Sequence, residues 1–278
     1  MALIRLLAID VDGTLLDSRG QLPEANLEAI AEAASDGVRI AIVTGRSFSF
    51  ALPAVERLSD PLTLVVYNGA IARMRSGETL LRRLLPCAAA KDVLAATEAW
   101  RDSALLQFDR PSRGQMIYDR LDWTQPNRVK FREKNLALIE EVPALEDALV
   151  EDPIQIAFNG SVATMRALVE TLRSTPALAA LSISLTEYLH RDFSLVDVAA
   201  SETTKGTALA ALAGLLHIDR TEVMAVGDNF NDREMLEWAG VGVVMGNAAD
   251  EMKAGFTVTG TNDEAGLALA IRKFVRRG

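Results

Sequence analysis

The run Leu6-Leu7-Ala8-Ile9-Asp10-Val11-Asp12-Gly13-Thr14-Leu15 constrains this chain more than any other segment. An apolar stretch ends in two carboxylates two residues apart, followed at once by a glycine and a hydroxyl side chain. A strand buried on both faces reads as a continuous apolar run, so aspartates at its carboxyl end are costly unless something compensates them. While the backbone stays extended, the two-residue period aims Asp10 and Asp12 the same way. Like charges that close share a proton or hold a cation. Gly13 permits a turn closed to other residues, which lets backbone amides point inward. The segment reads as a divalent-metal site with a carboxylate placed to attack; the plainer alternative is an acidic turn at a strand end.

Both flanks of the chain alternate strand and helix signals. A strand is expected over residues 3–9, then a helix over 23–36 opened by Pro23 and closed by Gly37. A strand over 38–43 ends in Thr44-Gly45-Arg46, a helix runs to about Leu58, and a strand over 62–66 ends in Tyr67-Asn68-Gly69-Ala70. The far flank gives a helix over 203–216 and a strand over 223–226 ending in Gly227-Asp228-Asn229. A helix over 231–238, strands over 241–244 and 256–258, and a helix over 264–275 follow. This alternation predicts an α/β fold: a doubly wound, mainly parallel Rossmann-like sheet with helices on both faces. The middle reads differently. Helices over 88–101 and 161–174 sit among isolated strands over 105–108, 154–158 and 183–185, which predicts an inserted α+β domain. The expected organisation is a core of residues 1–84 and 191–278 and an insert of residues 85–190.

Composition narrows the function. A net charge of −9 argues against nucleic-acid or anionic-membrane partners, because phosphate backbones demand a basic surface. One cysteine, Cys87, excludes an internal disulfide framework. No apolar stretch is long enough to span a bilayer and the first residues carry no leader pattern, so a cytoplasmic enzyme is expected. In that compartment the Asn159-Gly160-Ser161 sequon carries no weight.

Four positions share one character: polar residues suited to phosphate or metal beside a buried element. They are Asp10/Asp12, Thr44-Gly45, Lys205 and Asp228/Asn231/Asp232. Three follow strands, where ligands of open α/β sheets bind; Lys205 begins a helix, with Ser201 or Thr203 as the expected cap. Asp228, Asn231 and Asp232, at i, i+3 and i+4, share one face of a helix start. Asp10, Asp12 and Asp228 supply oxygen ligands suited to Mg²⁺. Thr44, the Gly45 amide and Lys205 supply donors and positive charge for a phosphoryl group, and a carboxylate can accept that group as an aspartyl phosphate. Neither His190 nor His217 is placed for attack.

In order along the chain, Asp10-Val11-Asp12-Gly13-Thr14-Leu15, Thr44-Gly45-Arg46, Lys205-Gly206 and Gly227-Asp228-Asn229-Phe230-Asn231-Asp232 resemble the four motifs of the haloacid dehalogenase-like (HAD) phosphatases. Asn68-Gly69-Ala70, Met235-Leu236, Met245-Gly246-Asn247-Ala248 and the position of the insert resemble the Cof-type subgroup. The resemblance implies a Mg²⁺-dependent hydrolase of a small phosphorylated metabolite. Asp10 would be nucleophile and metal ligand. Asp12 would protonate the leaving oxygen, activate water and lend its backbone carbonyl to the metal. Asp228 would be the third protein ligand, with Asp232 orienting the metal's surroundings. Thr44, Gly45, Lys205, Asn231 and the Val11 amide would hold phosphate, and the insert would be a cap that closes over the site and selects the substrate. Tyr67, where related sequences often carry an acid, and Gly255, in a stretch that is often alanine-rich, depart from the pattern.

Two other readings stay open at this level: a phosphomutase or phosphotransferase of the same fold, and a receiver-type phospho-accepting module. Plainer roles are set beside the sharper ones. Arg46 can pair with surface acids, Arg82-Arg83 and Arg276-Arg277 can be solvated charges, and Arg110, Arg113 and Tyr118 are only candidates for a substrate-facing surface. Gly240-Val241-Gly242 lacks the third glycine and the following helix of a dinucleotide loop.

Overall fold

The computed structural model describes residues 3–275, and within that span every side chain except those of Pro126, Asn127, Lys130, Lys134 and His190. The expectations for Arg276-Arg277 and for the His190 side chain lie outside the described residues. Strands occur in the order β1 (Leu6–Ile9), β2 (Arg39–Val43), β3 (Leu62–Val66), β4 (Ile71–Met74), β5 (Thr79–Arg82), β6 (Ala104–Gln107) and β7 (Met116–Tyr118). Then come β8 (Ile139–Glu141), β9 (Gln155–Gly160), β10 (Ser182–Tyr188), β11 (Phe193–Ala199), β12 (Val223–Gly227), β13 (Val241–Val244) and β14 (Thr257–Val258). Residues up to Arg82 and from Thr204 onward form one compact unit, and Arg83–Thr203 form a second.

The first unit holds an eight-stranded sheet in the order β14-β13-β12-β1-β2-β3-β4-β5. It is parallel from β14 to β3, with β4 and β5 added antiparallel. The expected α/β class with a mainly parallel central sheet is what the chain adopts. All residues of β1, β3 and β12 are buried, which is why these strands read as unbroken apolar runs rather than alternating ones. Leu6, Ala8, Ala41, Val43, Val65 and Ala225 pack on helices Lys205–Leu215 and Arg233–Trp238. Their alternates Leu7, Ile9, Ile40 and Ile42 are equally buried, so both faces of the sheet are covered. Helix Glu24–Ser35 follows Pro23 as expected, and Gly37 turns the chain out of it at φ +86°. The Lys205 helix is capped by Thr204, not by Ser201 or Thr203: the Thr204 hydroxyl accepts from Thr207 N–H at 3.1 Å in a reciprocal capping box.

Register sets the level of the site. Ile9 lies abreast of Ile42 and Val226, and Val43 abreast of Val65. The residues that leave β1, β2, β3 and β12 therefore emerge side by side at one end of the sheet.

The second unit is a six-stranded sheet, β10-β11-β9-β6-β7-β8, antiparallel except for β7 with β8. Leu106, Phe108, Ile156, Phe158, Val196 and Val198 meet helices Cys87–Ala96 and Val162–Ser174 in its core. The insert is α+β as expected, but it extends past the expected boundary at residue 190. β11 pairs with β9 and β10, Ser182 opposite Ala199 and Tyr188 opposite Phe193, so residues 191–203 belong to the insert. Cys87 opens a helix, with its N–H on Asp152 Oδ1 at 2.7 Å and burial pushing its thiol pKa up. No helix among the described residues is long and apolar enough to cross a membrane.

Arg110, Arg113 and Tyr118 all have acidic neighbours within the insert. Arg110 pairs with Glu151 at 2.6 Å, Arg113 lies 3.9 Å from Glu140, and Tyr118 donates to Glu141. Arg101 is buried between Asp119, at 2.8 Å, and Glu146. Arg101→Met strands the buried Asp119 carboxylate, and breaking such a pair costs about 3–5 kcal/mol. Urea unfolding should show that loss; a loss under about 1 kcal/mol would contradict this account.

Candidate active site

The extended conformation of β1 ends at Ile9, and Asp10 begins the departure, its N–H still donating to Val226 carbonyl at 3.0 Å. The chain then curls back, with Leu15 N–H on the Asp10 carbonyl and Leu16 N–H on the carbonyl of buried Val11, both at 3.1 Å. Gly13 sits at φ +84°, and a Cβ there would lie 2.7 Å from Asp228 Cγ. Only glycine fits both demands.

The strand ends at Ile9, as expected, so the two-residue period does not carry through Asp10 and Asp12, and they do not share a partner. Asp10 is buried and its Oδ1 accepts from Lys205 Nζ at 2.6 Å. Asp12 is half exposed and gripped through both oxygens by Arg46, at 2.8 Å from Nε and 2.6 Å from Nη2. Arg46 thus pairs with an acid of the site rather than with a remote surface acid.

Lys205 Nζ bridges to Asp232 Oδ1 at 2.5 Å, and both residues are buried. The other Asp232 oxygen accepts the N–H groups of Asp228 and Asn229, each at 3.0 Å. Both oxygens are thus committed. Asp228 accepts the Thr14 hydroxyl at 3.1 Å on Oδ1, while Oδ2 has Asn247 Nδ2 at 3.5 Å. Carboxylate oxygens of Asp10, Asp228 and Asp232 lie within 4.8 Å of one another. At an effective dielectric near 20, each such pair repels by roughly 3 kcal/mol. Lys205 answers two of the three charges, leaving the cluster short of positive charge.

The proton equilibria reflect this. Burial, then the Asp232 charge, push Asp10 up to about 7 against the pull of Lys205. Burial, Asp10 and Asp232 likewise hold Asp228 well above the usual carboxylate range. Burial opposes charge on Lys205, yet Asp10 and Asp232 outweigh it and raise its pKa.

Thr44 is buried, with its N–H on Val65 carbonyl at 2.8 Å and its hydroxyl accepting Arg46 N–H at 3.1 Å. Asn231 directs Nδ2 to Asn68 Oδ1 at 3.0 Å, and the Asn68 side chain lies over Gly45. The fold thus gathers Asp10, Asp12, Thr44, Gly45, Lys205, Asp228, Asn231 and Asp232 at one end of the core sheet. Thr14, Arg46, Asn68 and Asn247 join them; all four stand in the runs quoted above, but nothing in the spacing marked them as members. His217 is exposed after the Lys205 helix, at φ +53°.

A family model of haloacid dehalogenase-like hydrolases matches residues 7–271. The chain belongs to that family. Among curated relatives, phosphatase YwpJ of Bacillus subtilis is 29% identical, over 95% of this chain and 98% of its own length. The B. subtilis 5-amino-6-(5-phospho-D-ribitylamino)uracil phosphatase YwtE is 27% identical, over 96% and 97%. Among solved structures, the HAD-superfamily phosphatase BT1666 of Bacteroides thetaiotaomicron superposes with a TM-score of 0.79 at 25% identity, covering 98% of this chain and 95% of that one. This HAD-family chain is a hydrolase of the phosphatase type, which removes the receiver-module reading.

The two kinds of ion pair predict different mutational costs. Asp232→Ala leaves Lys205 with one partner and two N–H groups without theirs, a loss of about 3–5 kcal/mol in chemical denaturation. Asp12→Ala breaks a half-exposed pair and should cost less than about 1 kcal/mol. Equal losses would refute the assignment of Lys205 and Asp232 as the buried anchor.

Proposed function

We propose that this chain is a cytoplasmic, Mg²⁺-dependent phosphatase that hydrolyses a small phosphorylated metabolite through an aspartyl phosphate on Asp10. The observation that carries the reading is the buried Asp10 carboxylate, fixed by Lys205 through one oxygen among acids within 4.8 Å. The names of the relatives, one of which acts on a phosphorylated ribityl compound, favour a sugar-phosphate-like monoester. The insert Arg83–Thr203 is assigned substrate selection.

The donors suit magnesium, a hard cation that takes oxygen ligands. Asp10, Asp228 and the backbone carbonyl of Asp12 would hold it. Asp232, with both oxygens committed, orients Lys205 and the start of the Asp228 loop. Bound there, the ion neutralises charge on the phosphoryl oxygens.

An Asp10 oxygen attacks phosphorus, the bond to the ester oxygen breaks, and that oxygen takes a proton from Asp12, which must first leave Arg46 and take up a proton from solvent as the substrate binds. Lys205, Thr44, the Gly45 and Val11 amides and Asn231 hold the phosphoryl oxygens. Asp12 then takes a proton from water as the water oxygen attacks phosphorus. The Asp10–phosphorus bond breaks, releasing inorganic phosphate.

Asp10→Asn should abolish phosphate release from a panel of metabolite phosphates while leaving the circular dichroism spectrum unchanged, and EDTA should silence the native enzyme. Retained turnover in Asp10→Asn refutes covalent catalysis. Product analysis with a sugar acceptor separates hydrolysis from transfer.

The raised Asp10 pKa has a second consequence. From about pH 4 to about pH 7 the folded chain binds a proton that the unfolded chain has lost, so Asp10 contributes instability that grows across that window. A cation needing the ionised carboxylates must displace the proton. Mg²⁺ affinity, read from the magnesium dependence of the melting temperature, should rise at least about tenfold between pH 6 and pH 8. Equal affinity at both values would contradict the assignment.

A further inference from the structure

Tyr67-Asn68-Gly69 follows β3 and takes no part in the chemistry above, yet it holds three consecutive residues at positive φ, 51°, 52° and 108°. Asparagine tolerates this region better than most side chains, whereas a tyrosine there is an outlier. Such conformations persist only where the surroundings over-determine them. Here the surroundings are the groups assigned to phosphate.

Asn68 N–H donates to the Thr44 carbonyl at 3.1 Å and Tyr67 N–H to the Arg46 carbonyl at 3.0 Å. The turn therefore grips the backbone on either side of Gly45. The buried Asn68 side chain covers Gly45 so closely that a Cβ there would come 3.0 Å from Asn68 Oδ1. That same oxygen accepts from Asn231 Nδ2. A Cβ on Gly69 would lie 2.8 Å from the carbonyl carbon of Thr204, the cap of the Lys205 helix. One turn thus touches Thr44, Gly45, Asn231 and the residue before Lys205.

A carboxamide has two orientations of nearly equal shape. With Asn68 Oδ1 as neighbour, only the one that offers Nδ2 avoids opposing two oxygens. Asn231 keeps it although its own Oδ1 is left buried without a partner. We propose that Asn68 is a positioning residue of the phosphate pocket. Its Oδ1 locks the Asn231 carboxamide so that the second Nδ2 hydrogen serves the phosphoryl group, and its contact over Gly45 fixes the Thr44-Gly45 peptide. This rests on reading Thr44, Gly45 and Asn231 as phosphate contacts.

The test uses Asn68→Gly, which keeps a left-handed turn without strain and deletes the carboxamide, together with Asn231→Ala and the double variant. Magnesium-dependent hydrolysis of p-nitrophenyl phosphate gives kcat and KM, inorganic phosphate gives an inhibition constant, and the melting temperature reports folding. One hydrogen bond corresponds to about tenfold in the inhibition constant. Each single variant should lose that, KM should rise with it while kcat falls by less, and the double should be no worse than either single. An unchanged inhibition constant in Asn68→Gly, or a roughly hundredfold loss in the double, overturns the proposal. Should Asn68→Gly fail to fold, Asn68→Ala decides: it deletes the same acceptor and adds no charge, phosphate inhibition should weaken about tenfold, and unchanged inhibition is the refuting result. A native enzyme that neither releases phosphate nor is inhibited by it refutes the reading of the site and this inference together. Native turnover with unaltered variants refutes Asn68 alone.

Discussion

The burial of the Lys205 ammonium between Asp10 and Asp232 is the interaction on which the rest of the core depends. Removing an ammonium from water costs several kcal/mol, repaid only where opposite charges meet it with good geometry. Here they arrive from the end of β1, the first turn of one helix and the approach to another. Those pieces must therefore settle together, and the Asp232 oxygen turned to the Asp228 and Asn229 amides carries the order one step further, to the loop that presents Asp228. The single lysine cannot neutralise three acids. The uncompensated repulsion, together with burial, holds protons on Asp10 and Asp228 to a higher pH than an ordinary carboxylate keeps them.

Much of this was legible in the sequence because parallel strands buried on both faces leave unmistakable apolar runs. β1, β3 and β12 are of that kind, and each is followed at once by the polar residues that matter. What spacing could not show is which charge meets which. Arg46 is 34 residues from Asp12, and no periodicity connects them. The separate fates of Asp10 and Asp12 were equally hidden, since the two look alike on paper and only the turn at Gly13 sends them to different partners. The hydroxyls of Ser201, Thr203 and Thr204 compete as caps in the sequence, and the left-handed Glu202, at φ +55°, belongs to the bend that leaves Thr204 in that place.

The insert was harder to read for a different reason. β7 and β8 have three residues each, too few to show a pattern. β11 alternates buried and half-buried residues like any strand of a one-sided sheet, so nothing local assigns it to the second unit rather than the first. Its partners do. Arg110, a candidate for a binding surface, pairs with Glu151 and lies over the Phe108 ring within the insert.

β1 lies between β2, which follows it closely along the chain, and β12, whose Val223 pairs with Leu6. During synthesis, one edge of β1 is left without its neighbour until the ribosome has finished the whole inserted domain. Contacts of such separation form late because the intervening loop must first close. The insert, complete in its own sheet and core, is available to fold first. The core sheet is then completed last, when β12 returns to β1.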